Sequence, residues 1–536
     1  MKRTINILLA CFWWSMITVM AQPYERLHVQ TDKDFYLAGE KMYLGVWGMD
    51  DKHNSLDMSR VAYIELLGDA YNSVQVKVQL DNAQGNAVID LPYTLSSGVY
   101  ELVAYTRWMR NEGESIFFRK PIAVFNSLRY SPTLDQVVFV DEATPAQVCS
   151  VTQDNIRVKT DRKIFGTRSK VSIVVDGLQE DVRYSLSVVK AGSLFCENQL
   201  EERHFPKKDN EEKMAELEGM IVEACFVPWG DNKEFMRPNL SVKGKNMNYY
   251  AGQIANNGTV YFYTPSLPGV KEMFAGVEGD GQLEMVSPFI ATPPSKLRAI
   301  RLHKDQEQEL MERCMQIQSA RFYPADSIKK ELPATFYNYK PRWSFDLDEY
   351  KRFPTFEETF LEFITGVSTI KKEDKKLITI FDEVSGASNN GNTLVLLDGV
   401  TIMNHQDLLS YNPYFVKWVD VYAGKYIFGE QVYEGIVSFR TPNHWMPSFQ
   451  LSGNSVVVEY EGVLSKQGYE HPSWSQSSCP DLRHTLYWNP NVTVNDCQLE
   501  CWTSDMCGTY IVKVEGMTKE GKIISGTTSF QVKEEH

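Results

Sequence analysis

Four cysteines near the C-terminus come closest, by type and spacing, to residues that do chemistry: Cys479, Cys497, Cys501 and Cys507. Thiols of an exported chain can pair, so these four form the pool from which a disulfide would be drawn. Reduced, buried thiols are the alternative, because Cys497 and Cys501 would share one face of a β-strand. The gaps of three and five residues between the last three cysteines do not match the paired two-residue spacing of a zinc site.

No catalytic motif accompanies these thiols. The sequence lacks a His-Glu-x-x-His helix, a Gly-x-Ser-x-Gly elbow and a Gly-x-x-x-x-Gly-Lys-Ser/Thr loop. His484 follows Asp481 and Arg483, but a strand would put His484 and Arg483 on opposite faces, which favours a packing or surface role. Asp398 precedes Gly399, and Asp before Gly is ordinary turn chemistry. We therefore predict a non-enzyme without catalytic residues, cofactor or bound metal, and a structural role for Asp398.

The N-terminus predicts export. Met1-Lys2-Arg3 is basic, residues 5–20 carry no charge, and the small residue Ala21 precedes Gln22. This is the pattern of a signal peptide, residues 1–21, that is cleaved after Ala21. The apolar run is shorter than the ~20 residues of a spanning helix, and no later stretch approaches that length. We expect an exported chain with no membrane span after signal removal, located in the periplasm, at the outer membrane or at the cell surface.

Composition favours β-sheet. Aromatic residues make up 12% of the 536 residues, and short aromatic and β-branched runs recur between Gly, Asn and Asp turns. The length predicts roughly three to five domains. The net charge of −14 provides no basic face for a phosphate backbone, so we expect no nucleic-acid partner.

Alternation and repetition predict β-sandwiches. Residues 74–80 alternate apolar and polar side chains, as a strand with one buried face requires. Thr160-Asp161-Arg162 lies 129 positions after Thr31-Asp32-Lys33, and apolar positions downstream match at the same offset. This spacing predicts a duplicated sandwich domain.

Two helices and one linker interrupt these β patterns. Residues 300–319 predict the one clear helix, and residues 356–364 predict a shorter one. The charged stretch from Glu201 to Glu218 predicts a linker or a short surface helix.

Six residues of the first β unit form a motif: Thr31, Asp32, Lys33, Tyr36, Gly39 and Glu40. The motif resembles the opening of an α2-macroglobulin-type MG2 domain, which has T-D-K, an aromatic residue and then G-E. The second copy departs from it, with Arg168 and Ser169 where Gly39 and Glu40 stand. Residues from Gly219 onward are similar to carboxypeptidase-regulatory-like β-sandwiches. These resemblances imply a mainly β chain of serial macroglobulin/immunoglobulin-like sandwiches.

Three ordered segments, residues 393–400, 416–424 and 434–441, resemble the plug domain of TonB-dependent receptors. The positions that carry the motif are Asp398, Gly399, Gly424 and Gly435. Such a plug is a small α/β unit whose glycines allow tight turns between buried strands. A receptor barrel needs about 22 strands, and only 95 residues follow Thr441, so we expect a plug-like unit without a barrel.

The last residues resemble the C-terminal macroglobulin-like domain of exported Bacteroidetes-type proteins that combine MG2-like, regulatory-like and plug-like modules. The predicted domains are 1–21, signal peptide; 22–130, MG2-like sandwich; 150–205, second macroglobulin-like unit; 216–296, regulatory-like sandwich; 297–345, helical connector; 346–445, plug-like domain; and 446–536, C-terminal macroglobulin-like sandwich.

The function that these resemblances imply is non-catalytic: a cell-envelope protein that binds or scaffolds an outer-membrane barrel or transport assembly. The alternative is a secreted carbohydrate- or surface-binding protein. Trp445, Trp474 and Trp488 are candidate interface anchors, with core packing as the open alternative. The thioester of protease-trapping macroglobulins is not expected, because Gly429-Glu430-Gln431 follows Phe428 and lacks the sulfur.

Overall fold

The computed structural model shows a mainly β chain built from several β-sandwiches and one small α/β unit, which confirms the predicted fold class. The structure describes residues 24–534, with gaps at 69–72, 142–155, 181, 197–199, 201–202, 206–213, 230–235, 245–247, 323–338, 373–374, 383–386, 389–390, 452, 465–468, 470–479 and 519. The predicted signal peptide, Cys479 and Trp474 lie outside the described residues.

The first unit, here called the N-terminal sandwich, packs one sheet, β1-β3-β6, against another, β2-β8-β7-β4-β5. Its strands are β1 (Arg26–Thr31), β2 (Phe35–Leu37), β3 (Lys41–Met49), β4 (Val61–Leu67), β5 (Ser73–Gln79), β6 (Gln84–Asp90), β7 (Gly98–Tyr105) and β8 (Phe118–Phe125). Apolar side chains of both sheets fill its core.

A run of strands follows that does not close on itself. It comprises β9 (Val137–Val140), β10 (Arg157–Thr160), β11 (Ile164–Phe165), β12 (Lys170–Asp176) and β13 (Arg183–Lys190). Among these, only β10 and β12 pair with each other. Strands β9, β11 and β13 pair with strands that lie much later in the sequence.

The next strands build the central sandwich, a sheet ordered β19-β14-β17-β16-β15-β18. They are β14 (Met220–Pro228), β15 (Arg237–Val242), β16 (Tyr249–Ile254), β17 (Thr259–Thr264), β18 (Val270–Glu278) and β19 (Gly281–Met285). The sheet divides at β16, whose first half pairs with β15 and whose second half pairs with β17. Apolar residues of both halves share one continuous core with the N-terminal sandwich.

The connector begins as a strand, not as a helix. Residues 300–303 form β20 (Ile300–His303), which pairs in parallel with β9, and the helix α1 (Glu307–Phe322) follows after a short turn. The prediction of a helix from residue 300 was therefore wrong at its start. These residues form a strand because they pair with the edge of β9 and because Ile300 and Leu302 bury their side chains on the N-terminal sandwich.

The α/β unit has a mixed sheet ordered β21-β27-β28-β25-β26, in which β25 runs parallel to β28. A second small sheet, β22-β23-β24, contacts it. The elements are β21 (Trp343–Asp346), α2 (Phe356–Glu362), β22 (Val367–Lys372), β23 (Lys375–Asp382), β24 (Ala387–Ser388), β25 (Leu394–Leu397), β26 (Val400–Thr401), α3 (His405–Leu409), β27 (Trp418–Phe428) and β28 (Gln431–Arg440).

The last strands return to three different units. They are β29 (Ser455–Glu461), β30 (Val463–Leu464), β31 (Thr485–Val492), β32 (Gln498–Trp502), β33 (Gly508–Met517) and β34 (Ile523–Val532). Strand β29 adds to the central sandwich beside β18, and β30 adds in parallel to β5 of the N-terminal sandwich. The remaining four complete the sheets β10-β12-β32 and β11-β34-β33-β13-β31.

Strands β10 to β13 of the predicted domain 150–205 and β31 to β34 of the predicted domain 446–536 together form one discontinuous sandwich with a shared core, while β29 and β30 join the other units. The physical reason is that each segment alone leaves sheet edges unpaired. The repeat that begins at Thr160 lies in the first strands of this sandwich. The strands that pair with β13, namely β31 and β33, lie after residue 484.

Strand β5 does not keep the predicted alternation of buried apolar and exposed polar side chains, because the polar residue Lys77 is buried. Lys77 was expected on the polar face, yet it is buried beneath β30, donates to the carbonyl of Glu461 at 2.7 Å and lies 3.7 Å from the ring centroid of Tyr460. Burial lowers the pKa of Lys77 to about 8, although the charges of Glu216 and Glu461 oppose this shift. A local period-2 pattern cannot reveal a strand that arrives from nearly four hundred residues away.

Glu216, at the end of the predicted charged linker, is also buried at this boundary. Its carboxylate accepts from the Tyr63 hydroxyl at 2.9 Å and from the amide of Ile221 at 2.8 Å, while Oε2 has no hydrogen-bond partner. Burial raises the pKa of Glu216 to about 7, against the lowering effects of the Ile221 amide and of Arg107. The folded state therefore favours the protonated acid.

Because the folded pKa of Glu216 lies above its unfolded value, its contribution to stability is complete at low pH and is lost as pH rises through 7. We expect Glu216→Gln to be more stable than the wild type by on the order of 2 kcal/mol at pH 8, with a much smaller difference at pH 5. Urea unfolding at the two pH values measures this. The exposed neighbour Glu218 provides the control, and equal gains from Glu216→Gln at both pH values would contradict the prediction.

Candidate functional site

The residues of the N-terminal motif form a junction between units. Asp32 Oδ1 accepts from the Tyr36 hydroxyl at 2.7 Å and from the amide of Tyr43 at 3.1 Å, while Oδ2 accepts from the Thr485 hydroxyl at 2.8 Å. The first two bonds hold the β1–β2 turn, and the third joins the N-terminal sandwich to the discontinuous sandwich. Asp32 thus has a structural role.

Glu40 makes the second contact of this junction. Its carboxylate accepts from Arg313 Nε at 2.8 Å and from the Arg313 terminal nitrogen at 2.5 Å, and Lys33 Nζ lies 3.2 Å away. Burial alone would raise the pKa of Glu40, but the charges of Arg313 and Lys33 outweigh it and hold the pKa at about 2. Arg313 also donates to the carbonyl of Phe35 at 2.9 Å, so α1 is fixed to the N-terminal sandwich.

Two further motif residues shape the turn that carries these carboxylates. Thr31 donates its hydroxyl to the carbonyl of Lys33 at 2.6 Å. Gly39 has φ +94°, and a Cβ there would lie 2.2 Å from the ring of Tyr93, so the position requires glycine. Asp32, Tyr36 and Glu40 of the motif are buried, whereas Thr31, Lys33 and Gly39 are partly exposed.

The carboxylate of Asp398 in the α/β unit bonds the loop that follows β28. Its fully buried carboxylate accepts from the amide and the hydroxyl of Thr441, both at 2.7 Å, and from the amide of Met446 at 3.2 Å; His444 Nδ1 lies 3.4 Å away. Asp398 and Gly399 both have positive φ, +50° and +84°. The predicted turn is present, and its side chain fixes the segment 441–449, here called the tryptophan loop.

The tryptophan loop is held in an unfavourable backbone conformation. His444, Met446 and Ser448 have φ of +54°, +45° and +60°, and a left-handed conformation costs roughly 1–2 kcal/mol at each residue that is not glycine. Met446 is buried, whereas the Trp445 side chain between these residues is 78% exposed. Strain of this kind persists only where surrounding contacts impose it, and it is concentrated at functional sites.

A second aromatic segment lies against the tryptophan loop. The Tyr411 hydroxyl donates to the carbonyl of Pro447 at 3.0 Å, and its ring centroid lies 5.3 Å from that of Phe449 and 5.7 Å from that of Phe415. Tyr414 in the adjoining turn is 57% exposed. Trp445 and Tyr414 therefore project from two neighbouring, well-anchored segments. Sequence reasoning found Trp445 but missed Tyr414, although the turn residues Asn412-Pro413 before it provided a signal.

The two remaining glycines of the predicted motif permit close packing. Gly424, with φ +121°, lies in a bulge of β27, where the pairing with β28 shifts register between Ala423 and Tyr426. Gly435 has φ +146°, and a Cβ there would lie 2.5 Å from Cδ1 of Ile380. It lets β23 approach the main sheet, so both glycines serve the fold.

Two further candidates, His484 and Trp488, lie in the interior of the described part of the chain. His484 is buried, and burial, helped by the charges of Arg313 and Lys33, lowers its pKa to about 3. Among the described residues, no three His, Cys, Asp or Glu side chains are placed to hold a metal ion. Trp488 is buried, which settles it as a packing residue.

The described C-terminal cysteines, Cys497, Cys501 and Cys507, are free thiols. Cys501 is buried in the core of the discontinuous sandwich, and burial raises its pKa to about 12. Cys497 and Cys507 are exposed. Cys479, the fourth cysteine of the predicted disulfide pool, lies outside the described part of the chain.

Within the described residues, no helix has both the length and the apolar character needed to cross a bilayer.

No protein-family model matches the sequence, and no curated protein matches it. Among solved structures, the native conformation of Escherichia coli α2-macroglobulin is 9% identical, with a TM-score of 0.24 over 96% of this chain and 40% of that one. The elastase-activated form is 8% identical, with a TM-score of 0.25 over 95% and 44%. The Escherichia coli adhesin FdeC is 10% identical, with a TM-score of 0.15 over 49% and 64%.

The chain thus spans less than half the length of these macroglobulins. Such low identities and TM-scores assign neither a family nor a function to it.

The anchoring of the tryptophan loop by Asp398 is testable. Asp398→Ala leaves the buried amides of Thr441 and Met446 without an acceptor, which costs about 1–3 kcal/mol for each unsatisfied group. We expect amide hydrogen exchange to rise in residues 441–449 and proteolysis to start there. Asp280→Ala, at an exposed position of the central sandwich, is the control, and unchanged exchange of the loop in Asp398→Ala would contradict the assignment.

Proposed function

We propose that this chain is an exported, non-catalytic binding protein of the cell envelope, which docks through its α/β unit onto an outer-membrane barrel or transport assembly. The observation that carries the proposal is the tryptophan loop, a strained segment that a buried carboxylate fixes with Trp445 exposed. Aromatic side chains fixed in this way lose little conformational entropy on binding, and interface hot spots are rich in Trp and Tyr.

Rigid attachment of the α/β unit supports this role. The Tyr249 hydroxyl of the central sandwich lies 2.5 Å from Gln431 Oε1 and 2.9 Å from the Tyr433 hydroxyl, and Gln431 Nε2 donates to the carbonyl of Pro238 at 2.8 Å. All these groups are buried, and such satisfied polar networks hold one geometry. The loop is thus presented from a fixed scaffold.

The N-terminal signal pattern and the plug-like motif support the location and the partner class. The motif residues Asp398, Gly399, Gly424 and Gly435 all occupy turns, a bulge or a close approach, as a compact plug-like unit requires. An outer-membrane partner would supply the attachment to the membrane.

Pull-down of the tagged protein from detergent-solubilised outer membranes tests the proposal. We expect the wild type to recover a barrel protein, and the double variant Trp445→Ala/Tyr414→Ala to lose it, because the exposed aromatic anchors are removed. Trp229→Ala removes another exposed indole, from the central sandwich, and should leave recovery unchanged. Absence of any barrel protein from the wild-type eluate would overturn the proposal.

Carbohydrate binding is the second candidate, because an exposed, fixed indole is also a platform on which a sugar ring stacks. A glycan array distinguishes it from barrel docking. Wild-type retention on defined glycans that Trp445→Ala abolishes and Trp229→Ala preserves would favour this function, and an array without signal would reject it.

A further inference from the structure

The helix α1 has two apolar faces, and among the described residues one of them packs on the N-terminal sandwich. Leu310, Cys314 and Ile317 pack on the N-terminal sandwich, with Arg313 between them in its ion pair with Glu40. These contacts account for the position of the helix. The opposite face has no role in them.

A second face of the helix, here called the stripe, carries three exposed apolar side chains, with the exposed Gln318 between the second and the third. Met311 is 60% exposed, Met315 is 50% exposed and Phe322 is 78% exposed. At about 100° per residue, these three side chains point within about 40° of one another and away from the buried face. Single exposed apolar residues are common on protein surfaces, but a stripe at helical spacing along one helix is typical of a docking surface.

An acidic cleft of about 190 Å³ lies against the N-terminal half of α1, at the end of the stripe that carries Met311. Its charged lining consists of Asp305, Glu309, Glu312 and Lys190, so three carboxylates face one ammonium group. Lys190 Nζ bonds Glu312 Oε2 at 2.5 Å. His484, which also lines the cleft, is uncharged at neutral pH because burial lowers its pKa to about 3.

The carboxylates of this cleft are held in place. Glu309 Oε2 accepts from the amide of Ser193 at 2.6 Å and from the amide of Leu194 at 3.2 Å, and Gln308 donates to Glu312 Oε1 at 3.3 Å. The negative charge is therefore fixed beside the stripe rather than spread over mobile side chains. On the other flank, Glu307 adds an exposed acid.

We propose that this face of α1 binds a basic amphipathic helix of another protein. Its apolar side would cover Met311, Met315 and Phe322, and one Lys or Arg side chain would enter the acidic cleft. Methionines adapt to differently shaped apolar partners, and an amphipathic helix laid along an apolar surface is a recurring recognition mode. The surface is separate from the tryptophan loop, so it does not depend on the proposed docking of the α/β unit.

Charge selects this occupant over a second copy of the chain. Pairing α1 with itself about a two-fold axis would bring two acidic clefts and two chains of net charge −14 together. Like charges placed opposite each other oppose association. A basic helix instead neutralises the cleft.

Fluorescence anisotropy with defined peptides tests the proposal. The probe is a fluorescein-labelled helix of roughly 15 residues with leucines on one face and lysines on the other. The comparison peptides are the same pattern with glutamates and a scrambled leucine–lysine sequence. We expect the full chain to bind the leucine–lysine helix with at least about tenfold preference over both.

Met311→Gln/Met315→Gln should weaken this binding about tenfold, because two exposed thioether side chains no longer bury apolar area. Asp305→Asn/Glu307→Gln should weaken it and reduce its salt dependence. Gln is a good helix former, and unchanged thermal unfolding would show that the variants fold. Leu361→Gln, at an exposed position of the α/β unit, is the matched control and should bind like the wild type.

Three results would overturn the proposal: equal binding of the glutamate peptide, unchanged affinity in the methionine variant, or equal loss in Leu361→Gln. Light scattering adds a fourth. A wild-type dimer that Met311→Gln/Met315→Gln converts to a monomer would assign the stripe to a second copy instead.

Discussion

The buried ion pair between Glu40 and Arg313 is the interaction on which the arrangement of the units depends. Two charges withdrawn from water are tolerated only when they pair in good geometry and further hydrogen bonds satisfy their remaining polar atoms, and removal of one partner from such a pair costs about 3–5 kcal/mol. Here the carboxylate follows β2, and the guanidinium lies on the helix that leads away from the central sandwich. Asp32, eight residues before Glu40, bonds Thr485 at the start of β31, so one short motif ties three parts of the chain together.

Local patterns in the sequence predicted what local physics determines. The Asp398-Gly399 turn, the glycine at position 39 and the helix near residue 356 are all present, because turn and capping chemistry act over a few residues. The β-rich composition likewise predicted sandwiches. Trp445 was recognisable as an anchor candidate, but whether it or Trp488 faced solvent depended on packing that no local pattern contains.

Long-range pairing accounts for what the sequence did not reveal. Lys77 and Glu216 carry charges, and each was expected at the surface, yet each is covered by chain that arrives from elsewhere. The sequence of residues 300–303 predicted a helix, but these residues pair with β9. An unpaired strand edge supplies backbone hydrogen-bond partners, which the first turn of a helix lacks. The tryptophan loop owes its shape to Asp398, which lies more than forty residues earlier.

The discontinuous sandwich also sets an order of events for folding. Strand β13 ends at Lys190 and lies between β31 and β33, which begin at Thr485 and Gly508, so the central sandwich and the α/β unit must emerge before this sheet can close. Contacts of such sequence separation form slowly. During synthesis, the strands β10 to β13 therefore have unpaired edges until the last strands are made. Unpaired strand edges can form hydrogen bonds with the wrong strand. For this architecture, correct folding depends on keeping the open edges of the unfinished sheet from pairing with another strand before β31 to β34 arrive.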